Sequence, residues 1–303
     1  MKTIAACYNA AWRQTKNQMK IPKRLHPLIE DGLIDEIICQ LQSGKEAQVY
    51  MVRCGEIVRC AKVYKEANKR SFKQAVQYQE GRTARNSRRN RAMQKRTSYG
   101  QKESEQAWLS AEVDALYQLA AAGVRVPQPY GFVDGVLLME LITDSEGHAA
   151  PRLSEVSFSP ELALEYHNRL ISDVVRMLCA GLVHGDLSEF NVLVDQHGPV
   201  IIDLPQAVNA AGNNNAPMML SRDVSNMSAY FGRYAPELLS SAYGKEIWSH
   251  YEAGTLHPEI KLTGQFSESS IAADVDDIMM VIDAAEEEEM DRRRREQEAR
   301  EGE

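Results

Sequence analysis

The first part of the chain alternates short, mainly apolar runs with polar turns. Such runs cover Cys39–Leu41, Gln48–Val52 and Ile57–Tyr64, and the turns Ser43–Glu46 and Arg53–Glu56 separate them. Apolar runs of this length between polar turns are typical of strands. Strands joined by such short turns pair antiparallel, so the pattern predicts a small antiparallel sheet.

Helical periodicity appears further along the chain. Apolar residues recur at helical spacing within 106–122 and 160–180, and a glycine follows each segment. Between these helices, Asp134-Gly135 predicts a hairpin turn. The segment 221–260 is also predicted to be helical. A β-rich part therefore precedes a mainly helical part, and the predicted fold class is α+β.

We predict four segments along the chain. They are a helical lead-in at 1–36, a β-rich lobe at 37–139 with a flexible basic insertion at 81–104, a helical lobe at 140–260, and a charged helix or disordered tail at 261–303.

The composition favours a folded, cytoplasmic protein. The chain has 303 residues, of which 44% are hydrophobic, so it is not globally disordered. No apolar run approaches the ~20 residues that cross a bilayer, and we expect neither a membrane partner nor a secretory leader. The 5 cysteines are scattered without a CxxC pair, which predicts free thiols in a reducing compartment and no zinc site.

The charges are divided between two segments. The net charge is −8, and residues 274–303 alone hold 13 acidic residues against 5 arginines. Residues 81–102 hold 8 lysines and arginines and no acid. A block of like charge is usually a solvated, disordered face. The alternatives are contact of 82–102 with RNA phosphates and autoinhibitory pairing with the acidic residues 286–289.

The densest group of candidate catalytic residues lies between Val183 and Asp203. Apolar triplets on either side of a turn near His197 predict a hairpin, with Asn191 and Asp203 facing each other at its open end. Their side-chain oxygens are hard ligands suited to Mg²⁺. Asp186 precedes Asn191 by 5 residues, the spacing of the protein-kinase catalytic loop, and would accept the proton of an attacking hydroxyl.

Two charged residues lie in apolar surroundings upstream. Lys62 is in the third apolar run, where it either reaches solvent from an edge strand or needs an anion. Glu112 lies on the apolar face of a predicted helix and needs a cationic partner. Glu105 is a poorer candidate because it precedes the periodic stretch. The turn Ser43–Ala47 either covers phosphates with backbone N–H groups or is a plain hairpin turn.

Together these motifs resemble the RIO family of atypical protein kinases. The motifs are Ser43-Gly44-Lys45-Glu46-Ala47 with Val49 and Tyr50, Ala61-Lys62-Val63-Tyr64-Lys65, Val126-Pro127 with Pro129, His184-Gly185-Asp186-Leu187-Ser188-Glu189-Phe190-Asn191, and Ile202-Asp203. The resemblance covers roughly residues 25–235. It implies a shortened, two-lobed protein-kinase-like fold without an activation loop or peptide-binding helices.

The resemblance also implies ATP and Mg²⁺ as cofactors, with Mn²⁺ as an alternative. Asp186 would be the catalytic base, and Lys62 would hold phosphates with Glu112 as its partner. Asn191 and Asp203 would bind the metal, and Asp203 could take up a phosphoryl group transiently. The nucleotide would also contact the turn, its neighbouring strand and the hinge, namely Ser43, Gly44, Lys45, Glu46, Ala47, Val49, Met139, Glu140 and Ile142.

This sequence departs from the family pattern in places. Gln42 stands where a serine is usual, and the motifs combine features of the first and second subfamilies. We therefore expect a divergent member of bacterial origin.

The predicted function is phosphoryl transfer from ATP to serine or threonine, including residues of the protein itself, or an ATPase switch linked to ribosome or RNA assembly. One alternative is a nucleotide-gated scaffold that binds RNA or ribosomal particles with slow or no turnover. A small-molecule kinase of the aminoglycoside type is another. It would need an acidic pocket, for which Asp223, Glu237 and Glu252 are too dispersed.

Overall fold

The computed structural model describes residues 21–44, 46–65 and 111–267. The predicted basic insertion 81–104, Lys45 and most of the predicted tail lie outside these residues. The described residues up to Thr263 belong to one compact unit, and a second unit begins at Gly264. The segment boundaries given above stay predictions.

Five strands form one antiparallel sheet. They are β1 (Glu36–Ser43), β2 (Ala47–Cys54), β3 (Ile57–Tyr64), β4 (Pro129–Val133) and β5 (Val136–Glu140). Their order in the sheet is β1-β2-β3-β5-β4, so the predicted antiparallel sheet is confirmed and β3 is an inner strand. Asp134 and Gly135 both have positive φ, at 48° and 76°, as the tight turn between β4 and β5 requires.

The two faces of the sheet pack against different parts of the molecule. A short helix, α1 (His26–Glu30), packs in one hydrophobic cluster with Val63 of β3. A second helix, α2, whose described part covers 111–121, packs in another cluster with Tyr64. Because side chains alternate along a strand, Lys62 lies on the same face as Tyr64 and is directed toward α2.

The rest of the described chain is mainly helical. Its helices are α3 (Pro160–Cys179), α4 (Ala216–Phe231) and α5 (Tyr243–Glu252). Two short ladders accompany them, β6 (Leu182–Val183) with β9 (Val208–Asn209) and β7 (Val192–Asp195) with β8 (Gly198–Ile201). An antiparallel sheet followed by helices confirms the α+β fold class. No helix among the described residues is long and apolar enough to cross a membrane.

Candidate active site

Lys62 lies between two carboxylates from distant parts of the chain. Its Nζ is 2.6 Å from Oε1 of Glu112 on α2 and 2.7 Å from Oδ1 of Asp203, just after β8. The side chains of Lys62 and Glu112 are only 12% and 4% exposed. Lys62 therefore does not reach solvent from an edge strand, and it has the anionic partner that its burial requires.

These charges control each other's protonation. Burial lowers the pKa of Lys62, but the charges of Glu112 and Asp203 outweigh burial and hold that pKa well above its usual value. Partial desolvation by neighbouring groups raises the pKa of Asp203, and the charge and hydrogen bond of Lys62 overcome this effect, so the pKa of Asp203 is lowered. Lys62 is therefore an ammonium, and Asp203 is a carboxylate, at neutral pH.

The hairpin of β7 and β8 places Asp203. The N–H of Ile202 donates to the carbonyl oxygen of Asn191 at 2.9 Å. Asn191 therefore lies opposite Ile202, and Asp203 is one residue beyond the predicted facing position. Asp203 has a φ of 67°, in the left-handed region, which turns the chain out of the strand direction beside Lys62.

Asp186 lies on the loop between β6 and β7 with an exposed side chain. The Nδ2 group of Asn191 donates to the main-chain carbonyl oxygen of Asp186 at 2.8 Å, which holds these two predicted site residues together. This bond uses the amide nitrogen and leaves the amide oxygen to act as a ligand. Partial desolvation raises the pKa of the Asp186 carboxylate above its usual value, which makes it a stronger proton acceptor than a fully solvated aspartate.

A buried carboxylate that the sequence analysis set aside holds this loop. Asp223 on α4 is 1% exposed and accepts hydrogen bonds from the N–H groups of Gly185, at 2.7 Å, and Leu187, at 3.0 Å. Burial raises the pKa of Asp223 to about 6. The available sequence signal was an acid within the apolar face of α4, beside Leu220 and Val224.

His184 joins the same loop to the hairpin. Its Nδ1 accepts from the N–H of Asp186 at 3.3 Å, and its Nε2 is 3.1 Å from the carbonyl oxygen of Ile202. Because Nδ1 accepts, we assign the ring proton to Nε2, which donates to Ile202. Both ring nitrogens are thus engaged, and His184 positions the loop without acting as a second base.

The predicted phosphate-binding turn joins β1 to β2. The N–H of Gly44 donates to the carbonyl oxygen of Ala47 at 2.9 Å, which closes the turn. Lys65 donates from Nζ to the carbonyl oxygen of Gly44 at 2.5 Å and from its N–H to that of Glu46 at 2.8 Å. The other predicted contacts flank the turn, Ser43 at the end of β1 and Val49 opposite Lys62 on β2.

The predicted hinge, Met139–Ile142, begins within the end of β5. Met139 and Glu140 end the strand, and the N–H of Glu140 donates to the carbonyl oxygen of Gln128 at 2.8 Å. Ile142 is 4% exposed, and its carbonyl oxygen accepts from the N–H of Ala150 at 3.0 Å. Adenine binding through this segment stays a prediction.

The oxygen donors at the open end of the hairpin fit a hard cation. Asn191 offers an amide oxygen and Asp203 an ionised carboxylate, and Mg²⁺ takes its remaining ligands from water and phosphates. Within 21–44, 46–65 and 111–267, no group of three or more His, Cys, Asp and Glu residues could hold a metal by itself. Asn191 and Asp203 are the two residues that would hold such a cation.

Comparison with known proteins identifies the family. The sequence model of the RIO domain matches residues 48–243. This chain belongs to the RIO family. The RIO-type serine/threonine-protein kinase Rio1 of Haloferax volcanii is 34% identical, over 69% of this chain and 68% of that protein. The Rio1 of Methanocaldococcus jannaschii is 29% identical, over 74% of each chain. The serine/threonine-protein kinase RIO1 of Homo sapiens is 30% identical, over 75% of this chain and 39% of that protein.

Membership of the RIO family confirms the predicted enzyme class. The chain is a RIO kinase, an ATP-dependent serine/threonine-protein kinase that works with a divalent metal. The match spans more than two thirds of the Haloferax volcanii and Methanocaldococcus jannaschii proteins and less than half of the human one. The named relatives are archaeal and eukaryotic, so the expected bacterial origin stays a prediction, as do the roles of individual residues.

Proposed function

We propose that this RIO kinase transfers the γ-phosphoryl group of ATP to a serine or threonine hydroxyl of a protein substrate or of itself, through Lys62 and Asp186. The observation that carries this proposal is Lys62, with its Nζ 2.6 Å from Glu112 and 2.7 Å from Asp203. These carboxylates are 50 and 141 positions away in the sequence. Such a buried ion group has a desolvation cost that apolar packing would avoid, which supports a functional reason for it.

Lys62 would bind phosphate oxygens of ATP while Glu112 keeps its ammonium in place. Asp203 is 48% exposed, so its carboxylate can leave Lys62 and face a cation, whereas the buried Glu112 stays. A Mg²⁺ ion held by Asn191 and Asp203 would neutralise charge on the transferring phosphoryl group. We propose Mg²⁺ as the working metal, with Mn²⁺ as a substitute. Transfer rates with each ion after chelation would test this choice.

Asp186 would act as the base in the transfer step. The substrate hydroxyl oxygen bonds to the γ-phosphorus while the bond from that phosphorus to its bridging oxygen breaks, and ADP leaves. Asp186 takes up the hydroxyl proton. Its exposed position on the loop and its raised pKa support this role.

A second candidate is an ATPase switch, which the exposed carboxylate of Asp203 favours. In this second mechanism, Asp203 accepts the γ-phosphoryl group and ADP leaves. Water then cleaves the acyl phosphate to release phosphate.

The chemistry of the label on the protein separates the two candidates. Purified protein would be incubated with γ-labelled ATP and Mg²⁺, alongside the variants Asp186→Ala and Asp203→Ala. Acid-stable label that is lost in Asp186→Ala supports the kinase. Base-sensitive label with phosphate release, both lost in Asp203→Ala, supports the switch. Intact nucleotide binding with neither signal overturns both and favours the scaffold.

We also propose that the basic segment 82–102 contacts RNA phosphates, in free RNA or a ribosomal particle. Its 8 lysines and arginines without an acid support this partner. Binding through phosphates alone should weaken steeply with salt and show no sequence preference. Fluorescence titration of unrelated RNA sequences at several salt concentrations tests it. Affinity that is independent of salt would contradict it.

A further inference from the structure

We propose that Arg152 is a positioning residue that couples the phosphate-binding turn to the catalytic loop through a bridge to Gln42. The proposal deepens the proposed function and rests on it for the roles of these two segments. The bridge itself is a feature of the structure, and it can be tested without phosphoryl transfer.

The main chain around Arg152 is attached to the catalytic loop. Arg152 forms an isolated antiparallel bridge with Leu193 of β7. Two residues later, the N–H of Ser154 donates to the carbonyl oxygen of Glu189 at 3.2 Å. The backbone of residues 152–154 is therefore held to both ends of the segment 189–193, which contains Asn191.

The guanidinium of Arg152 reaches in two directions. Its Nη1 donates to the carbonyl oxygen of Phe190 at 3.0 Å, and its Nη2 donates to Oε1 of Gln42 at 2.8 Å. Phe190 directly precedes the proposed metal ligand Asn191, and Gln42 directly precedes Ser43 of the turn. A single planar group thus fixes the distance between these two parts of the site.

The local shape of β1 supports this contact. The pairing of β1 with β2 shifts register between Gln40 and Gln42, which leaves Leu41 as an extra residue. Such a bulge bends a strand and redirects the side chains beside it. Gln42 is also where this sequence departs from the serine of the family pattern. Oε1 of glutamine extends two bonds beyond the hydroxyl oxygen of serine, so serine could not span the same gap.

The coupling predicts a defined pattern of nucleotide affinity. Gln42→Ser and Arg152→Ala should each weaken binding of a non-hydrolysable ATP analogue with Mg²⁺ about three- to tenfold, because the turn is no longer fixed relative to the loop. The double variant should bind no more weakly than Arg152→Ala alone. Arg152→Lys should show a partial loss, since an ammonium lacks the planar fork.

A charged partner gives a gain-of-interaction control. Gln42→Glu should keep the affinity at low salt and make it salt-dependent, because the contact becomes an ion pair. This salt dependence should disappear when Arg152→Ala is added. Arg53→Ala, which removes an exposed arginine paired with Glu36 at 3.5 Å, serves as the matched control and should leave the affinity unchanged.

Hydrogen exchange provides the readout that does not depend on nucleotide. In the protein alone, the backbone amides of 36–44 should exchange faster in Gln42→Ser, in Arg152→Ala and equally in the double variant. Additive effects of the two single changes, or unchanged exchange and affinity in Gln42→Ser, would overturn the coupling. If the analogue binds to no form of the protein, the proposed function fails while the exchange data still decide whether the bridge holds the turn.

Discussion

The two halves of the site are held by different kinds of interaction. Lys62 is held by opposite charges, with Glu112 buried and Asp203 exposed. The catalytic loop is held by main-chain N–H groups that donate to the buried carboxylate of Asp223. Charges can exchange partners when an anion arrives, whereas buried N–H groups that lose an acceptor stay unsatisfied. The first half is therefore suited to respond to a ligand, and the second to stay fixed.

The largest loss of activity is expected from a change of Asp186, the proposed base on the catalytic loop. Asp186→Ala should lower kcat about 10²- to 10⁴-fold, because the hydroxyl proton has no acceptor in place. Steady-state transfer of labelled phosphate measures this loss. Asp114→Ala, which removes an exposed carboxylate from α2, is the matched control. A kcat of Asp186→Ala within a few-fold of wild type would show that Asp186 is not the catalytic base.

Removal of the positive charge of Lys62 should cause the second-largest loss of activity. Lys62→Met should lower kcat/KM about 10²- to 10³-fold, since a preorganised charge opposite the phosphates is lost. Part of the loss should appear as weaker binding of the ATP analogue. Lys62→Arg should not restore activity, because its planar group is a poor replacement for a compact ammonium. Lys261→Met, at an exposed lysine, should have no effect, and an equal loss there would point to a general effect of charge.

Loss of Asp223, which accepts hydrogen bonds from the catalytic loop, should lower the stability of the protein. Asp223→Ala leaves the N–H groups of Gly185 and Leu187 without their acceptor. We expect a loss of about 2–4 kcal/mol in the free energy of unfolding near pH 4.5, measured by urea denaturation. Leu187 lies next to the base, so kcat should fall as well.

The pH dependence of this loss has a definite sign. Burial raises the pKa of Asp223 to about 6 in the folded protein, above its ordinary value of 3.8. The folded state then binds the proton more tightly, so the stabilisation is complete at low pH and is lost as the pH rises through about 6. The difference between wild type and Asp223→Ala should shrink from about pH 4.5 to 7. A difference that grows toward pH 7 would contradict this explanation.

The smallest effect is expected at the partner of the cation. Glu112→Gln keeps the size of the side chain but removes one of the two charges beside Lys62, and Asp203 remains. We expect a loss of about tenfold in kcat/KM, roughly the weight of one charge-assisted hydrogen bond. Glu105→Gln is the control, because Glu105 was the weaker candidate by sequence. Equal losses of kcat/KM in Glu112→Gln and Glu105→Gln would contradict a specific role of the Lys62–Glu112 pair in activity.

The parts of the site that the sequence predicted depend on local spacing. The helical period around Glu112 gave that residue a buried face, and the apolar run around Lys62 gave the lysine a need for an anion. Their pairing was an expectation from the family resemblance. The β7–β8 hairpin was also predictable from two apolar triplets around a turn. The predicted facing pair was off by one residue because the turn is not centred on His197: Asp195 pairs with Gly198 across the two-residue turn Gln196-His197, so Asn191 faces Ile202.

The parts that were missed depend on contacts between distant segments. Asp223 is 36 and 38 positions from the N–H groups that it binds, and Arg152 is 110 positions from Gln42. An acid on an apolar helix face indicates that it has a partner without indicating which one. Gln42 was recognised as a departure from the family pattern. The sequence did not show that its longer side chain reaches the guanidinium of Arg152.

The most direct test of the division between the two halves measures binding and chemistry on the same preparations. Affinity for the ATP analogue and the rate of a single turnover would be determined for wild type, Lys62→Met and Asp186→Ala. The account predicts that Lys62→Met both binds more weakly and reacts more slowly, while Asp186→Ala binds like wild type and reacts at least about 100-fold more slowly. A wild-type single-turnover rate in Asp186→Ala, or unchanged affinity and rate in Lys62→Met, would contradict it.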